Sequence, residues 1–131
     1  MLCWLATVDN TGTPNCSPKE IFTYFGDDAV IIANVASPTS VSNIKQTSSV
    51  CVSFVHVFKQ KGFKLKGKAE YIEPDDHKYS DMFERLRPLA GGYPVKGIIV
   101  IKIHSVNQII APSYFLVEGT TEESQIVSAK Q

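Results

Sequence analysis

The chain has 131 residues, of which 44% are hydrophobic, and its 13 basic and 13 acidic residues cancel to a formal net charge of zero. This length and composition predict one domain over residues 1–131, with a core of its own, and argue against disorder. Proteins that hold a nucleic-acid backbone usually carry a basic excess, so the charge balance argues against a nucleic-acid partner.

The cysteines and the apolar runs indicate the compartment. Cys3, Cys16 and Cys51 are odd in number and widely spaced, so we expect three small core residues and no metal site. No charged leader with an apolar run opens the sequence, and no apolar run has the length of a membrane span. The sequence therefore predicts a cytoplasmic protein without a membrane partner.

Two strands are predicted at the start of the chain. Residues 2–8 are apolar in both alternating sets, which predicts a first strand covered on both faces. Residues 9–12 predict a turn, and residues 14–25 predict a second strand that ends at a Gly-Asp-Asp turn.

Pro18 limits the backbone hydrogen bonding of the second strand. It has no N–H to give a neighbouring strand, which predicts an edge, a bulge or an opened ladder at this position. Backbone N–H and C=O groups in an opened ladder need other hydrogen-bond partners, and a polar planar ligand beside Ser17 and Lys19 could supply them. An ordinary edge strand with a solvated lysine is the alternative.

A third strand is predicted over residues 29–35, again apolar on both faces, and a short helix over residues 38–47. Ser37 as N-cap and Pro38 at the first helical position give the helix its start signal. Free helix N–H groups beside hydroxyl and amide side chains form a natural anion site. Simple capping is the alternative, and it explains Ser37 better than the other polar residues of this turn, which are Thr39, Ser40 and Asn43.

The fourth strand is predicted over residues 50–57 and the fifth over residues 63–71. In the fifth strand, apolar residues alternate with Lys64, Lys66, Lys68 and Glu70, which predicts one core face and one solvated face. A row of three lysines is compatible with binding single-stranded nucleic acid. A solvated face that discourages edge pairing is the interpretation we favour.

The rest of the chain predicts two helices and one strand. A helix starts at Pro74 and ends before Gly91, with His77 on its surface and a buried stripe of Tyr79, Met82, Phe83, Leu86 and Leu89. Residues 97–110 predict a sixth strand that contains a half-buried His104. Thr120 and Glu123 predict a capping box for a terminal helix that reaches about residue 129. Six strands joined mostly by hairpins close best as an antiparallel barrel.

Four segments of this chain form a combined pattern. They are Leu5-Ala6-Thr7-Val8-Asp9 with Gly12-Thr13-Pro14-Asn15, then Ser17-Pro18-Lys19, then the turn and helix from Asn34 to Asn43-Ile44, and finally Gly62-Phe63-Lys64-Leu65-Lys66-Gly67-Lys68-Ala69-Glu70. In this order and spacing they resemble the pyridoxamine 5'-phosphate oxidase-like family of FMN-binding split barrels. The resemblance implies a mainly β, α+β fold: a six-stranded antiparallel split β-barrel with a helix after strand three, a helix before strand six and a C-terminal helix.

The resemblance also implies a homodimer with FMN at the subunit interface. The backbone of the second strand would border the flavin ring, through Ser17, Pro18, Lys19 and Glu20. The turn after strand three and the helix that follows would hold the phosphate, through Ser37, Thr39 and Ser40, with Asn34 nearby. Many members carry Arg or Lys where this chain has the neutral Thr39 and Ser40.

The implied activity is that of an FMN-dependent oxidoreductase. It would pass hydride or electrons between FMN and a small molecule, with a small-molecule or nicotinamide electron donor. The flavin carries this chemistry, so no catalytic residue is assigned; Lys19 is the candidate cation for the N1–C2=O edge of the ring. A non-catalytic flavin-binding or electron-carrier module is the alternative function.

Overall fold

The computed structural model of the protein describes residues 2–56, 58–111 and 121–130. Within these residues it contains seven strands and three helices. In chain order the elements are β1 (Cys3–Val8), β2 (Pro14–Lys19), β3 (Phe22–Phe25), β4 (Ala29–Asn34), α1 (Pro38–Gln46), β5 (Ser49–His56), β6 (Lys61–Ile72), α2 (Tyr79–Ala90), β7 (Gly97–Ile110) and α3 (Glu122–Lys130). The strands form one antiparallel sheet in the order β2-β1-β5-β6-β7-β4-β3, the mainly β split barrel that was predicted.

The strand count is seven and not six, because the predicted strand over residues 14–25 is two strands. β2 pairs with β1, whereas β3 pairs with β4, and these two hairpins lie at opposite ends of the strand order. The chain therefore changes sheet edge at Glu20 and Ile21. Pro18 lies in the edge strand β2, as its missing N–H predicts.

A tight turn sets the register between β1 and β2. The Asp9 carboxylate accepts hydrogen bonds from the Thr11 N–H and hydroxyl and from the Thr13 N–H, at 2.7 to 2.9 Å. These hydrogen bonds hold the pKa of Asp9 below its ordinary value, and the bond from the Thr11 hydroxyl has the largest effect. Gly12 has φ of +89°, a conformation that favours glycine. The turn places Lys19 opposite Cys3 at the far end of the hairpin.

The barrel has two hydrophobic clusters, one on each side of β4. The interior cluster consists of Cys3, Leu5, Ile32, Ile44, Val50, Val52, Ala69, Ile99 and Ile101. The second cluster lies beneath α2 and consists of Ile21, Ile31, Ala33, Ile72, Met82, Leu86, Ala90 and Ile98. Consecutive residues of β4 alternate between them, so the prediction that this strand is covered on both faces is confirmed.

β1 is covered on one face only. Cys3 and Leu5 are fully buried, but Trp4 on the opposite face is 46% exposed. α2 packs against β3, β4 and β7, at the other end of the strand order. The prediction that both faces of β1 are covered is therefore wrong within this chain, and Trp4 lies on an open outer face.

β6 shows the predicted alternation over most of its length. Lys66 and Lys68 are exposed, and Lys68 Nζ donates to Ser49 Oγ at 2.6 Å. The ladder with β7 is irregular at Gly67, where a Cβ atom would lie 2.1 Å from the Lys102 carbonyl oxygen. A glycine in the core row of a strand predicts a bend or a close backbone approach, and the close approach is confirmed here. Phe63, predicted to be a core residue, is 44% exposed.

The start of α2 and the exposure of two side chains differ from the prediction. α2 begins at Tyr79 and not at Pro74, because the Asp76 carboxylate accepts from the Lys78 N–H at 2.8 Å and closes a turn there. Leu89 is 53% exposed and not buried. His104 is exposed and not half-buried, whereas His77 is exposed as predicted.

The terminal helix is confirmed as α3. Thr121 and Ser124 exchange backbone-to-hydroxyl bonds at 3.1 and 2.9 Å, one residue beyond the start of the predicted capping box. Thr120 lies outside the described residues. All three cysteines are free; Cys3 is buried, but Cys16 is exposed, so its predicted core role is wrong. In the part of the chain that the structure describes, no helix is long and apolar enough to cross a membrane.

Candidate functional site

The candidate site forms where the end of β2 meets the first turn of α1. Lys19 is the last residue of β2, and its side chain is buried, with 7% exposed. Its ammonium donates a hydrogen bond to the Ser37 hydroxyl oxygen. Among the described residues no carboxylate forms a salt bridge with it. Burial lowers the pKa of Lys19, because desolvation penalises the charged form.

The turn between β4 and α1 is closed by Asn34. Its Oδ1 accepts from the Ser37 N–H at 3.1 Å, and its Nδ2 donates to the Tyr71 hydroxyl at 3.0 Å. Ser37 occupies the N-cap position of α1, but its hydroxyl makes no capping bond and instead accepts from Lys19. The predicted N-cap position of Ser37 is confirmed, but the expected capping bond from its hydroxyl is absent, and the hydroxyl bonds Lys19 instead.

A second set of polar contacts fixes α1 against β1 and β2. Ser40, only 1% exposed, lies with its Oγ 3.2 Å from Ser17 Oγ. Further along the helix, Asn43 Nδ2 donates to Thr7 Oγ1 at 3.0 Å, and both side chains are buried. These bonds satisfy polar groups that would otherwise destabilise the buried side of the helix. Thr39, by contrast, is exposed.

A pocket of about 400 Å³ opens beside Lys19. Its polar wall carries the Lys19 and Ser37 side chains, and Pro18 and Glu20 flank them. Its other walls are mainly apolar and are formed by Leu2, Ile21, Ala33, Val35, Ala36 and Tyr93. The pocket therefore suits a ligand with an anionic end and an apolar body.

The structure brings most of the predicted site residues together. Ser17 and Ser40 are in contact, Lys19 reaches Ser37, and Asn34 holds the Ser37 N–H. Pro18 and Glu20 line the pocket, whereas Thr39 points to solvent at the start of α1. Sequence reasoning missed Leu2, Tyr71 and Tyr93. Gly91 and Gly92 mark the end of a helix in the sequence, but they do not show that Tyr93, which follows them, lies beside the pocket.

The electrostatic environment at the start of α1 is positive. The first turn contains no acidic residue, and the partial positive charge of the helix N-terminus adds to the Lys19 ammonium. Opposite Lys19, burial raises the pKa of the Cys3 thiol to about 11, so this thiol is neutral at physiological pH and provides no counter-charge.

Comparison with known families identifies the family of this chain. The sequence model of the family described as pyridoxamine 5'-phosphate oxidase matches residues 1–110. The chain belongs to the pyridoxamine 5'-phosphate oxidase family. The resemblance inferred from the sequence segments is thereby confirmed. A comparison with curated proteins gave no match.

Solved structures share the fold of this pyridoxamine 5'-phosphate oxidase family member. HupZ of Group A Streptococcus is 22% identical with a TM-score of 0.70, over 84% of this chain and 89% of that one. An FMN-binding protein of Syntrophomonas wolfei subsp. wolfei is 19% identical with a TM-score of 0.71, over 83% and 77%. A pyridoxamine 5'-phosphate oxidase-related, FMN-binding protein of Nostoc punctiforme is 14% identical with a TM-score of 0.65, over 83% and 73%.

Proposed function

We propose that this protein is an FMN-binding oxidoreductase that passes hydride or electrons between FMN and a small molecule. The observation that supports this most directly is the buried residue Lys19, whose ammonium reaches the start of α1 beside a pocket with apolar walls. A buried charge is costly unless it is paired, so a site of this kind favours an anionic ligand group.

The residues present fit the phosphate end of FMN. Family members often place Arg or Lys in the helix, at the positions that are Thr39 and Ser40 here. In this chain the positive charge comes instead from Lys19, on a different element. We propose that Lys19, the Ser37 hydroxyl and the free N–H groups of Thr39 and Ser40 hold the phosphate. Ser40 then contributes its backbone, while its side chain secures the helix to Ser17.

The edge strand β2 fits the flavin ring. One side of its backbone, from Ser17 to Glu20, has no neighbouring strand in the sheet order. The polar edge of an isoalloxazine needs such donors and acceptors, and the apolar pocket walls suit its ring body. When bound, FMN would supply the hydride and electron chemistry, and the chain's own residues would bind it, orient it and exclude water.

A homodimer with FMN at the subunit interface is part of the proposal. The outer face of β1 and β2 carries the exposed Trp4, Cys16 and Pro18, beside the strand that would border the ring. A second copy would bury this apolar surface in a two-fold contact. The electron donor is proposed to be a small molecule or a nicotinamide nucleotide.

The visible absorption spectrum of the purified protein, before and after titration with FMN, tests cofactor binding. We expect a bound flavin spectrum, with FMN bound more tightly than riboflavin. Absence of binding at micromolar FMN would overturn the proposed function. Anaerobic addition of NADH or NADPH then tests turnover: bleaching of the flavin supports an oxidoreductase with a nicotinamide donor. A bound flavin that neither NADH nor NADPH reduces would favour a non-catalytic flavin-binding module.

A further inference from the structure

Tyr71 of β6 is joined to the first turn of α1 through a single side chain. The buried Asn34 amide donates from Nδ2 to the Tyr71 hydroxyl at 3.0 Å, while its Oδ1 accepts from the Ser37 N–H at 3.1 Å. A backbone N–H can only donate, so Oδ1 must face Ser37 and the amide nitrogen must face Tyr71. The Ser37 N–H therefore decides which way the Asn34 amide faces, and the Tyr71 hydroxyl holds the Nδ2 end of the amide in place.

The position of the Tyr71 hydroxyl is itself fixed by its surroundings. A Cβ atom at Gly97 would lie 2.1 Å from this oxygen, so the hydroxyl occupies the space that any side chain at Gly97 would need. Gly97 is also the β7 partner of Asn34 in the sheet. On the ring face, Lys45 Nζ from the last turn of α1 lies 5.3 Å from the ring centroid. Tyr71 thus contacts the end of α1 directly and its beginning through Asn34.

We propose that Tyr71 is a positioning residue for the phosphate of the bound flavin, an inference that rests on the proposed function above. Tyr71 acts through Asn34, which holds the Ser37 N–H so that the Ser37 hydroxyl meets the Lys19 ammonium. Without the Tyr71 hydroxyl the Asn34 amide keeps only its bond from the Ser37 N–H, and the first turn of α1 loses its link to β6. Contacts of the flavin ring along β2 do not depend on this link.

The test compares Tyr71→Phe with Thr7→Val as a matched control. Tyr71→Phe removes the hydroxyl that accepts from Asn34 but keeps the ring and its contact with Lys45. Thr7→Val removes the buried hydroxyl that accepts from Asn43, on the same helix but farther from its start. Affinities for FMN and riboflavin are measured for the parent and both variants by titration of flavin fluorescence.

Tyr71→Phe is expected to weaken FMN about three- to tenfold and to leave riboflavin within about twofold, the size of one lost hydrogen bond. Thr7→Val is expected to leave the ratio of the two affinities unchanged. If Tyr71→Phe changes both affinities by the same factor, as the control does, its role is structural and the inference is overturned. Equal affinity of the parent for FMN and riboflavin would overturn the proposed phosphate site, and this inference with it.

Three further measurements test the route from Tyr71 through Asn34. In the flavin-free protein, amide hydrogen exchange at Ser37 should accelerate in Tyr71→Phe and not in Thr7→Val; unchanged exchange at Ser37 overturns the route through Asn34. Asn34→Ala breaks the same link from its other side, should Tyr71→Phe fail to fold, and should show the same selective loss of FMN. Adding Tyr71→Phe to Asn34→Ala should cause no further change in the affinity ratio, and additive losses would contradict the inference.

Discussion

At the scale of single residues, Lys19 combines features that rarely occur together. It is the last residue of a proline-containing edge strand, it is buried, and its ammonium is held by a hydroxyl and not by a carboxylate. Burial lowers its pKa, so the fold places this charge at an energetic cost. A ligand that supplies the missing negative charge recovers that cost, which links the chemistry of one residue to the proposed binding of FMN.

Replacing Lys19 with Met tests which end of the flavin the ammonium serves. Met keeps most of the stem and removes the charge, so packing should change little. If Lys19 holds the phosphate, FMN affinity should fall by about 1.5 to 3 kcal/mol, about ten- to 150-fold, while riboflavin is nearly unaffected. Isothermal titration with both flavins measures this selectivity.

A redox titration of the same variant tests the alternative position, at the N1–C2=O edge. There the charge would stabilise the reduced ring, and Lys19→Met should lower the midpoint potential by about 30 mV for each 1.4 kcal/mol lost. A lowered potential with equal losses of FMN and riboflavin would contradict the phosphate role. An unchanged potential and unchanged affinities would remove Lys19 from the site altogether.

The lowered pKa of Lys19 predicts that FMN affinity depends on pH. An anionic phosphate prefers the charged ammonium, so affinity should fall as pH rises through the lowered pKa, which lies below the ordinary lysine value of about 10.4. Titrations from about pH 7, where the phosphate is largely a dianion, to about pH 10 should show the fall. In Lys19→Met this fall should be absent, and a parallel fall in both proteins would assign it to other groups.

The stability of the flavin-free protein should respond to pH in the opposite direction. Because the folded state binds the Lys19 proton less tightly than the unfolded state, the unfolded state holds more protons between the two pKa values. The contribution of Lys19 to the free energy of unfolding therefore rises with pH in that window. Denaturant unfolding of the parent and Lys19→Met isolates this contribution as a difference, and a difference independent of pH would contradict the assignment.

At the scale of elements, α1 is held at both ends but is neutral where its family often has positive charge. Thr39 is exposed in the first turn, so a longer side chain there disturbs little packing. Thr39→Arg should strengthen FMN binding by about 1 to 2 kcal/mol through charge-assisted bonds to the phosphate. Gln46→Arg, which adds the same charge at the other end of α1, should change the affinity much less. Equal gains would show a general effect of net charge.

Local signals predicted most elements, because each is encoded within a few residues. Ser37 and Pro38 gave the start of α1, and the lysine alternation gave β6. The break after Lys19 was missed because Ile21 and Phe22 continue the apolar pattern, while the change of sheet edge depends on pairing with distant strands. Tertiary pairing decides such breaks, and a local pattern does not contain it.

The same limit applies to the site. The sequence indicated Ser17, Lys19, Ser37 and Ser40 as separate polar residues of two elements, but it could not show that Lys19 reaches Ser37, 18 residues away. Asn34 was predicted near the phosphate from the resemblance alone; its link to Tyr71 joins residues 37 positions apart. Tyr71 looked like an ordinary core residue in an alternating strand, and only the fold shows its hydroxyl beside Gly97.

At the scale of the whole molecule, the covering of the sheet is asymmetric. α2 packs against β3, β4 and β7, whereas the outer face of β1 and β2 is open in the described part of the chain. This open face continues directly from the edge strand that is proposed to border the flavin. A partner that covers it would also shield the ring from water, so assembly and cofactor binding are expected to be coupled.

Trp4 tests this coupling, because it is the chain's single tryptophan and lies on the open face, 46% exposed. Placing a charge in a contact that buries an indole should be strongly unfavourable, so Trp4→Glu should weaken the proposed homodimer by about 3 kcal/mol or more, at least about a hundredfold. Analytical ultracentrifugation measures this, and the emission of Trp4 in the parent should shift to longer wavelength as dilution separates the subunits.

Val106→Glu is the matched control, since Val106 is 58% exposed on β7, away from β1 and β2 in the strand order. It should leave both the dimer and FMN affinity close to those of the parent. Because the ring is proposed to lie at the subunit interface, Trp4→Glu should weaken FMN and riboflavin together, unlike the variants of Lys19 and Tyr71, which act on the phosphate. A parent that sediments as a stable monomer at micromolar concentration, yet binds FMN, would refute the shared site and leave the flavin held by one chain alone.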